Sequence, residues 1–365
     1  MSLRCAGKDA ENMFHFECDY ASGAAPQVLR ALAQANESQH FGYGEDEHCR
    51  AAAELIGRLC AAQVGVHFVP GGTQANLLVA AAALRPFEGV LCADTGHINV
   101  HETGAVEATG HKVLALPSVD GRLTADQIRQ AAQRHRLDST REHTVRPGLV
   151  YLSHPTELGT LYTRAQLEDI SQACREANLL LYVDGARLAY GLAALPEVDL
   201  PFLARICDAF TLGGTKAGLL FGEAVVLPHL ALSRDFRYHM KQRGAMLAKG
   251  WLMGLQFRAL LEDGAYVSLA ARANAMAQDL KRALVGRGVP FLVDTMANQI
   301  FPILPRSVLD ALEPSFSVSV WEAMDDQRAA VRVCMSSTTS PSEAEALSAA
   351  LMRALDGISV KNFAL

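Results

Sequence analysis

A lysine and an aspartate, each at the end of a short apolar run, are the residues most able to do chemistry in this chain. Lys216 stands among glycines after the run that ends at Leu212, and Asp184 closes the preceding run. A primary amine forms a Schiff base with an aldehyde, and a carboxylate keeps a ring nitrogen protonated. The pair indicates pyridoxal phosphate (PLP). The alternative is a surface-turn lysine beside an aspartate that is paired with an internal arginine.

A glycine turn between a predicted strand and a predicted helix has the composition of an anion site. It lies in the run 68–76, Phe-Val-Pro-Gly-Gly-Thr-Gln-Ala-Asn. There Gly72 and Thr73 would offer backbone N–H groups and a hydroxyl to a phosphate, assisted by the helix dipole. Thr73 could instead only cap the helix. The run contains neither GxGxxG nor the P-loop lysine, which disfavours dinucleotides and nucleoside triphosphates.

Two histidines and two arginines are further candidates. His97 and His101 follow another predicted strand and are four residues apart, a spacing that suits a metal pair on a helix. No third ligand stands at a recognisable spacing, so no metal is expected, and an imidazole stacked on a flat cofactor is the alternative. Arg187 could pair with Asp184 or hold a substrate carboxylate bidentately. Arg332, inside a short apolar strand, needs an internal or bound anion.

Composition narrows the class of protein. The chain has 365 residues, a net charge of −6, half of its residues hydrophobic and a fifth charged, as in an ordinary globular enzyme with room for two domains. Without a basic patch, no nucleic-acid partner is expected. No apolar stretch is long enough for a membrane span, and the N-terminus does not resemble a signal peptide. Eight scattered cysteines without a CxxC pair suggest reduced thiols and a cytoplasmic location.

The elements that must position these residues alternate between strand and helix from about residue 50 to 230. Strands are predicted at 64–69, 89–93, 112–116, 148–153, 179–184, 209–212 and 224–227, and helices at 47–60, 74–84, 124–133 and 164–177. This alternation indicates βαβ units and a largely parallel, buried sheet. Ligands collect at the carboxyl ends of such strands, which is where Asp184 and Lys216 are expected.

The pattern changes after residue 233 and predicts a smaller α/β domain. A long helix is expected over 236–262 and another over 266–286, followed by short strands at 290–294, 299–303 and 331–335 and a final helix at 342–355. The expected organisation is an N-terminal arm (1–45), a large PLP-binding domain (46–250) and a small C-terminal domain (251–365).

Taken together, the motifs resemble the threonine aldolase branch of the β-eliminating lyase family, and most closely its low-specificity and phenylserine-type aldolases. The resemblance extends from Cys18-Asp-Tyr-Ala-Ser-Gly to Val331-Arg-Val. It includes the run 41–46, which matches the family's "YG-D/E-D" stretch, and the run 156–160, which matches its "TE-x-G-T" loop. It implies an α/β chain with the PLP-dependent transferase fold (fold type I): a mainly parallel seven-stranded sheet in a large domain, and a small C-terminal α/β domain.

The resemblance also implies roles for the cofactor-binding residues. Lys216 would carry PLP as a Schiff base, and Asp184 would hold the pyridinium nitrogen. Gly72 and Thr73 would bind the phosphate, and His97 would stack on the ring.

The remaining implied roles concern the substrate and a second subunit. Ser22, Arg187 and Arg332 would grip the substrate's α-carboxylate, Arg187 being also a cofactor contact. Lys241, with Arg243 beside it, falls where the family reaches a phosphate across a subunit interface. A homodimer or homotetramer with shared active sites is therefore expected.

The implied reaction cleaves a β-hydroxy-α-amino acid of the threonine, allo-threonine or phenylserine type to glycine and an aldehyde. The base that takes the hydroxyl proton could be His97, His101 or a bound water. His101 stands where family members often have an acidic residue, which leaves the substrate's identity open. The alternatives are another PLP-dependent reaction, such as β-elimination or transamination, and a non-catalytic relative of the same fold. An NAD(P) oxidoreductase is disfavoured because the glycine fingerprint is missing.

Overall fold

The structure is a computed structural model that describes residues 13–356 and 358. The described chain begins with strand β1 (Phe14–His15) and helices α1 (Pro26–Ala35) and α2 (Glu47–Leu59). Helix α2 begins where Asp46 accepts a hydrogen bond from the Cys49 backbone N–H at 2.8 Å, an N-cap that satisfies one donor of the first turn.

A seven-stranded sheet forms the centre of the fold. Its strands are β2 (Gly65–Val69), β3 (Glu88–Ala93), β4 (Val113–Leu116), β5 (Arg146–Ser153), β6 (Leu180–Asp184), β7 (Ala209–Gly213) and β8 (Glu223–Leu227). Their spatial order is β2-β8-β7-β6-β5-β3-β4. Strand β8 runs antiparallel to both of its neighbours, and all other pairs are parallel. The prediction of a mainly parallel seven-stranded sheet is confirmed.

Helices cover both faces of this sheet. They are α3 (Gly72–Ala83), α4 (His97–Val100), α5 (Ala125–Leu137), α6 (Arg164–Ala177), α7 (Leu188–Ala194), α8 (Leu200–Ile206) and α9 (Leu230–Ser233). Successive strand residues point to opposite faces, so Leu152 and Val183 join one buried cluster whereas Tyr151 and Tyr182 join another. Burial on both sides explains the near-continuous apolar runs in the sequence.

The predicted helix over 236–262 is wrong as a single element. The structure has two helices there, α10 (Phe236–Gln242) and α11 (Trp251–Leu261), followed by α12 (Ala265–Gly286). Gly244, just after α10, has a φ of +71°, a left-handed conformation that ends helices and favours glycine. The break lets α11 pack against α1 and α2.

The C-terminal region contains a small antiparallel sheet. The elements of this region are β9 (Gln299–Ile300), β10 (Ile303–Pro305), α13 (Arg306–Leu312), β11 (Phe316–Ser317), β12 (Ser319–Ala323), β13 (Arg328–Cys334) and α14 (Pro341–Leu355). Strand β13 pairs with β9, β10 and β12, and β11 pairs with β1 from the start of the described chain.

Two of the predicted strands of this region need correction. The strand expected at 290–294 is wrong, because that segment contributes one isolated bridge, from Phe291 to Pro302. The strand expected at 299–303 is divided into β9 and β10. Within the described residues, no helix combines the length and the apolar character that crossing a membrane requires.

Candidate active site

Lys216 and Asp184 lie at the same edge of the large sheet. Strand β6 ends at Asp184, and its parallel neighbour β7 ends at Gly213, after which a short 3-10 turn, Thr215–Ala217, carries the lysine. In open α/β sheets this carboxyl edge is where ligands bind.

Two glycines let the backbones that follow β6 and β7 approach each other closely. The Gly213 N–H donates to the Gly185 carbonyl at 2.9 Å. A Cβ atom at Gly185 would lie 2.0 Å from the Thr211 carbonyl oxygen, and one at Gly213 would lie 2.2 Å from that of Ala186. These distances leave no room for a side chain, so the approach of the two segments requires glycine at both positions.

The carboxylate of Asp184 is buried and accepts three hydrogen bonds. The Tyr151 hydroxyl and the Asn76 Nδ2 donate to its Oδ2 at 2.7 and 3.0 Å, and the Ala186 N–H donates to its Oδ1 at 2.8 Å. The Tyr182 hydroxyl donates to the Asn76 Oδ1 at 2.7 Å, which fixes the orientation of that amide. These donors stabilise a buried negative charge at the carboxyl edge of the sheet.

The amine of Lys216 is shifted toward its neutral form. Burial and the nearby Arg187 guanidinium lower the pKa of Lys216, against the opposing charges of Asp19, Asp184 and Glu223. A neutral amine is the nucleophile that Schiff-base formation requires.

Glu223 holds the turn that carries this lysine. It stands at the start of β8, where its Oε2 accepts the Gly214 N–H and its Oε1 accepts the Thr215 hydroxyl, both at 2.9 Å. Burial raises the pKa of Glu223 to about 7. The sequence analysis did not identify this residue, although an acid at the head of the fully apolar run 224–227 was an available signal.

His97 is connected to Asp184 through two buried side chains. Its Nδ1 lies 2.8 Å from the Glu102 Oε1, and the same oxygen accepts Asn76 Nδ2 at 2.7 Å. The His97 backbone N–H donates to Glu157 Oε1 at 2.9 Å. Because the carboxylate accepts, Nδ1 carries the proton and Nε2 has the lone pair of the neutral ring. Glu102 and Glu157 were not predicted as site residues. The available signals were the position of Glu102 directly after His101 and the position of Glu157 shortly after β5.

His101 lies beside His97 and faces the small sheet. The two ring centroids are 5.5 Å apart, and the Trp321 ring on β12 lies edge-on to His101 at 6.5 Å. Burial, together with His97, Arg332 and Lys216, lowers the pKa of His101, so this ring is neutral at neutral pH.

Arg187 is paired with an internal carboxylate, but the partner is Asp19 and not Asp184. Its Nε and Nη2 donate to the two oxygens of Asp19 at 2.6 and 2.9 Å, and Asn298 Nδ2 donates to the same carboxylate at 3.0 Å. Burial alone would raise the pKa of Asp19, but the charges of Arg187 and Lys216 and the hydrogen bonds from Arg187 and Asn298 together outweigh it and lower that pKa to about 2. The pair is therefore ionised and desolvated.

Arg332 has a buried nitrogen without a hydrogen-bond partner among the described residues. Its Nη2 donates to the Glu17 carbonyl at 2.8 Å, and its guanidinium lies 5.4 Å from the centre of the Trp321 ring. Its Nε is buried and has no hydrogen-bond partner among the described residues. Buried donors normally have a partner, so this nitrogen is free to donate to a water or a ligand acceptor.

The first turn of α3 is open. Gly71 precedes it without a capping side chain, and a Cβ atom at Gly71 or Gly72 would meet nothing within 4 Å. The first N–H groups of a helix have no partner within it, so this turn can receive an anion beside the exposed Thr73.

The two other predicted contacts lie in exposed positions. Ser22 is exposed in the segment between Asp19 and α1. Lys241 is exposed on α10, and its Nζ lies 4.7 Å from the centre of the Tyr43 ring. The site as a whole contains an amine (Lys216), a buried carboxylate (Asp184), an open helix N-terminus (the first turn of α3) and an imidazole (His97). These groups suit PLP, so the residues fit this cofactor.

Comparisons with known proteins agree with this assignment. Residues 15–304 match the β-eliminating lyase family. The low specificity L-threonine aldolase of Pseudomonas sp. strain NCIMB 10558 is 34% identical over 302 residues, which cover 81% of this chain and 86% of the relative. The chain belongs to the β-eliminating lyase family. The threonine aldolase of Leishmania major has a similar structure, with a TM-score of 0.90, 43% identity and coverage of 93% of this chain and 99% of that chain.

A more distantly related structure has the same fold. An aspartate aminotransferase of Thermus thermophilus superposes with a TM-score of 0.66 at 14% identity, covering 94% of this chain and 92% of that chain, which supports the fold alone. The predicted family and the PLP-dependent transferase fold are both confirmed. This β-eliminating lyase family member is a carbon–carbon lyase with PLP as its cofactor.

Proposed function

We propose that this family member cleaves β-hydroxy-α-amino acids of the threonine, allo-threonine or phenylserine type into glycine and an aldehyde. The observation that carries the proposal is the pair Lys216 and Asp184 at adjacent strand ends, in a chain 43% identical to a protein named threonine aldolase. The histidine pair beside them supplies groups that can accept a proton from the substrate hydroxyl.

In this proposal the cofactor binds at the carboxyl ends of the sheet's strands. Lys216 is the amine that binds the PLP aldehyde, and Asp184 is the partner of the ring nitrogen. The first turn of α3, with Gly72 and Thr73, binds the phosphate, and His97 lies against the ring. Bound PLP supplies an electron sink for the bond that is broken at the substrate's Cα.

The substrate's α-carboxylate is assigned to Arg332 and Ser22, with Arg187 beside them. The partnerless Nε of Arg332 supports this assignment, since a carboxylate would satisfy it. Arg187 has Nε and Nη2 committed to Asp19, so its Nη1 is the nitrogen left for the substrate or the cofactor. Fixing the carboxylate decides which bond at Cα is aligned for cleavage.

Two histidines and a bound water remain the candidates for the base. His97 keeps Nε2 as an acceptor because its Nδ1–H is bonded to Glu102, and His101 is neutral at neutral pH. Trp321 beside His101, and Phe301 packed edge-on to Trp321 at 5.2 Å, would place aromatic surface near a substrate's β-substituent. This arrangement favours substrates with a bulky or aromatic β-substituent, as in phenylserine.

We further propose a cytoplasmic homodimer or homotetramer with shared sites. All seven cysteines of the described residues are free and buried, as in a reducing compartment. Large aromatic side chains are exposed near Lys241: Tyr238 on the same helix, Tyr43 beneath its amine, and Phe41 two residues before Tyr43. Exposed apolar surface of this kind suits a second copy, whose phosphate Lys241 would reach. Sedimentation of the purified protein measures the assembly directly.

Substitution of the lysine tests the central assignment. The wild-type protein should absorb in the visible range, lose that band on borohydride treatment, and release aldehyde from L-threonine, L-allo-threonine and phenylserine. K216A should lose at least about 10³-fold in turnover, because the amine acts in every cycle. K249A, at an exposed lysine, is the matched control and should behave as the wild type.

The outcomes of this experiment also separate the alternatives. Appreciable threonine cleavage by K216A would contradict the proposal. Pyruvate from serine or cysteine would indicate β-elimination, a keto acid would indicate transamination, and a colourless wild-type protein would indicate a non-catalytic relative.

A further inference from the structure

A cluster of three metal-ligating side chains lies apart from the site described above. His40 is in the connection between α1 and α2, and Glu47 and His48 are the first two residues of α2. One ligand atom from each lies within 4.8 Å of the other two, and no other His, Cys, Asp or Glu group within residues 13–356 and 358 meets this condition. The Nδ1 of His40 is 2.7 Å from the Glu47 Oε1, and the Nε2 of His48 is 3.7 Å from the same oxygen.

The hydrogen bonds of His40 direct a lone pair into this cluster. Its Nε2 lies 3.2 Å from the Ala35 carbonyl oxygen, which can only accept, so Nε2 carries a proton. The neutral ring then has its lone pair on Nδ1, facing a carboxylate oxygen at 2.7 Å. Two lone pairs at that distance repel each other unless a positive charge lies between them. That charge is either a second proton on His40 or a bound metal ion.

We propose that His40, Glu47 and His48 bind a divalent transition-metal ion, with Zn²⁺ as the best fit. Two imidazoles and one carboxylate suit zinc and its neighbours, whereas Ca²⁺ and Mg²⁺ prefer oxygen ligands alone. Zinc bonds of about 2.0–2.1 Å in a tetrahedral site place ligand atoms about 3.3 Å apart. The separations of 2.7 and 3.7 Å to the Glu47 oxygen lie on either side of that value.

The surroundings meet the other requirements of a metal site. The side chains of His40 and His48 are 4% and 14% exposed, and the His40 ring packs against Trp251 with centroids 4.4 Å apart. Packing of this kind holds a ligand in place. The Ala35 carbonyl is an outer-shell acceptor for His40, an arrangement common among zinc-bound histidines. Glu47 is about half exposed, which leaves an entry path and room for water as a fourth ligand.

A metal at this position would tie the run 36–46 to the start of α2. That run joins α1 to α2 and contains the turn at Tyr43 and Gly44, where both residues have positive φ. A metal bound only by the folded chain stabilises it by mass action. Zinc should therefore raise the unfolding temperature of the protein.

Zinc titration of the PLP-loaded protein tests the proposal. After chelator treatment and dialysis, calorimetric titration with ZnCl₂ should give one ion per chain at the cluster, and the unfolding temperature should rise. H40Q and H48Q should each weaken that binding by at least about tenfold, because each removes a ligand. H15Q is the matched control, since His15 Nδ1 lies 2.8 Å from a Glu17 oxygen without a second histidine nearby.

The structural readout is anomalous diffraction at the zinc edge, which should place the ion between His40 and His48. E47Q, at the exposed ligand, provides a third variant if a histidine variant does not fold. No binding by wild-type protein at about 1 mM ZnCl₂ would overturn the proposal and assign His40 and Glu47 to a proton-bridged ion pair. Wild-type zinc binding by both histidine variants would overturn it equally.

Discussion

Three donors converge on the carboxylate of Asp184, and they come from three separate parts of the chain. Tyr151 belongs to β5, Asn76 to α3, and Ala186 to the turn after β6. Asn76 also reaches Glu102, the partner of His97. The carboxylate proposed to face the ring nitrogen and the imidazole proposed to lie on the ring are therefore held by one connected set of hydrogen bonds.

Replacing Asp184 by asparagine should remove the charge and disturb this set. An amide cannot balance a protonated ring nitrogen, and in one orientation its NH₂ group would face the Tyr151 and Asn76 donors. We expect D184N to lower turnover of threonine by on the order of 10²-fold or more and to weaken PLP binding. Kinetics and PLP titration measure both effects. Y151F keeps the charge and removes one donor, so it should be much milder; equal effects in the two variants would argue against the assigned role.

At the scale of elements, the position of Lys216 depends on a tight junction of β6, β7 and β8. Gly185 and Gly213 permit the contact between the ends of β6 and β7, and Glu223 at the start of β8 holds the turn that follows β7. The Tyr190 hydroxyl on α7 adds a hydrogen bond to the Lys216 carbonyl at 2.6 Å. The turn that carries the lysine is thus held by the glycine contact and by the side chains of Glu223 and Tyr190.

A methyl group at Gly185 should disrupt this junction. Its Cβ would lie 2.0 Å from the Thr211 carbonyl oxygen and 2.9 Å from the Leu188 Cβ, so backbone must move. We expect G185A to lose about 1–3 kcal/mol or more of unfolding free energy in urea. G286A, at the end of α12 where a Cβ meets nothing within 4 Å, is the control and should not be destabilised. A G185A protein as stable as the wild type would contradict this account of the junction.

For the whole molecule, buried histidines should determine part of the response to acid. His154 is fully buried, and burial lowers its pKa to about 4. The folded-state pKa lies below the ordinary value of about 6.5, so the unfolded chain binds the proton more readily between these values. The stabilisation is present above about pH 6.5 and is lost as the pH falls toward 4.

This shift predicts an acid-sensitive free energy of unfolding. The His154 contribution should fall by about 3 kcal/mol between pH 6.5 and 4. Glu223 acts in the opposite direction, because its folded-state pKa of about 7 is above the ordinary value. The comparison is therefore between variants: H154Q should show a flatter decline than the wild type in urea titrations across this range. H143Q, at an exposed histidine, is the control and should follow the wild type. If the stability of H154Q declines in parallel with that of the wild type, the prediction is refuted.

We propose that the molecule divides into an arm (1–45), a large domain (46–250) and a small domain (251–365). Several contacts cross these boundaries, two of them near the chain's start. Strand β1 of the arm pairs with β11, and α11, the first helix of the small domain, packs on α1 and α2.

Much of the large sheet could be predicted because its strands are buried on both faces and therefore form continuous apolar runs between turn signals. The partners of the site residues could not be predicted from the sequence. Asn76 meets Asp184 across 108 residues, and Arg187 meets Asp19 across 168, so both contacts depend on the three-dimensional arrangement of segments distant in sequence. The helix break at Gly244 was not predicted because helical periodicity continues on both sides of it.

The contact among Asp19, Arg187 and Asn298 has a consequence for biosynthesis. Translation delivers the aspartate first, the arginine 168 residues later, and the asparagine 279 residues after the aspartate. Until the last of them leaves the ribosome, the nascent polypeptide cannot close the pocket around this ion pair. A growing chain that already contains every strand of its large sheet must therefore still extend to Asn298 before these contacts can be complete.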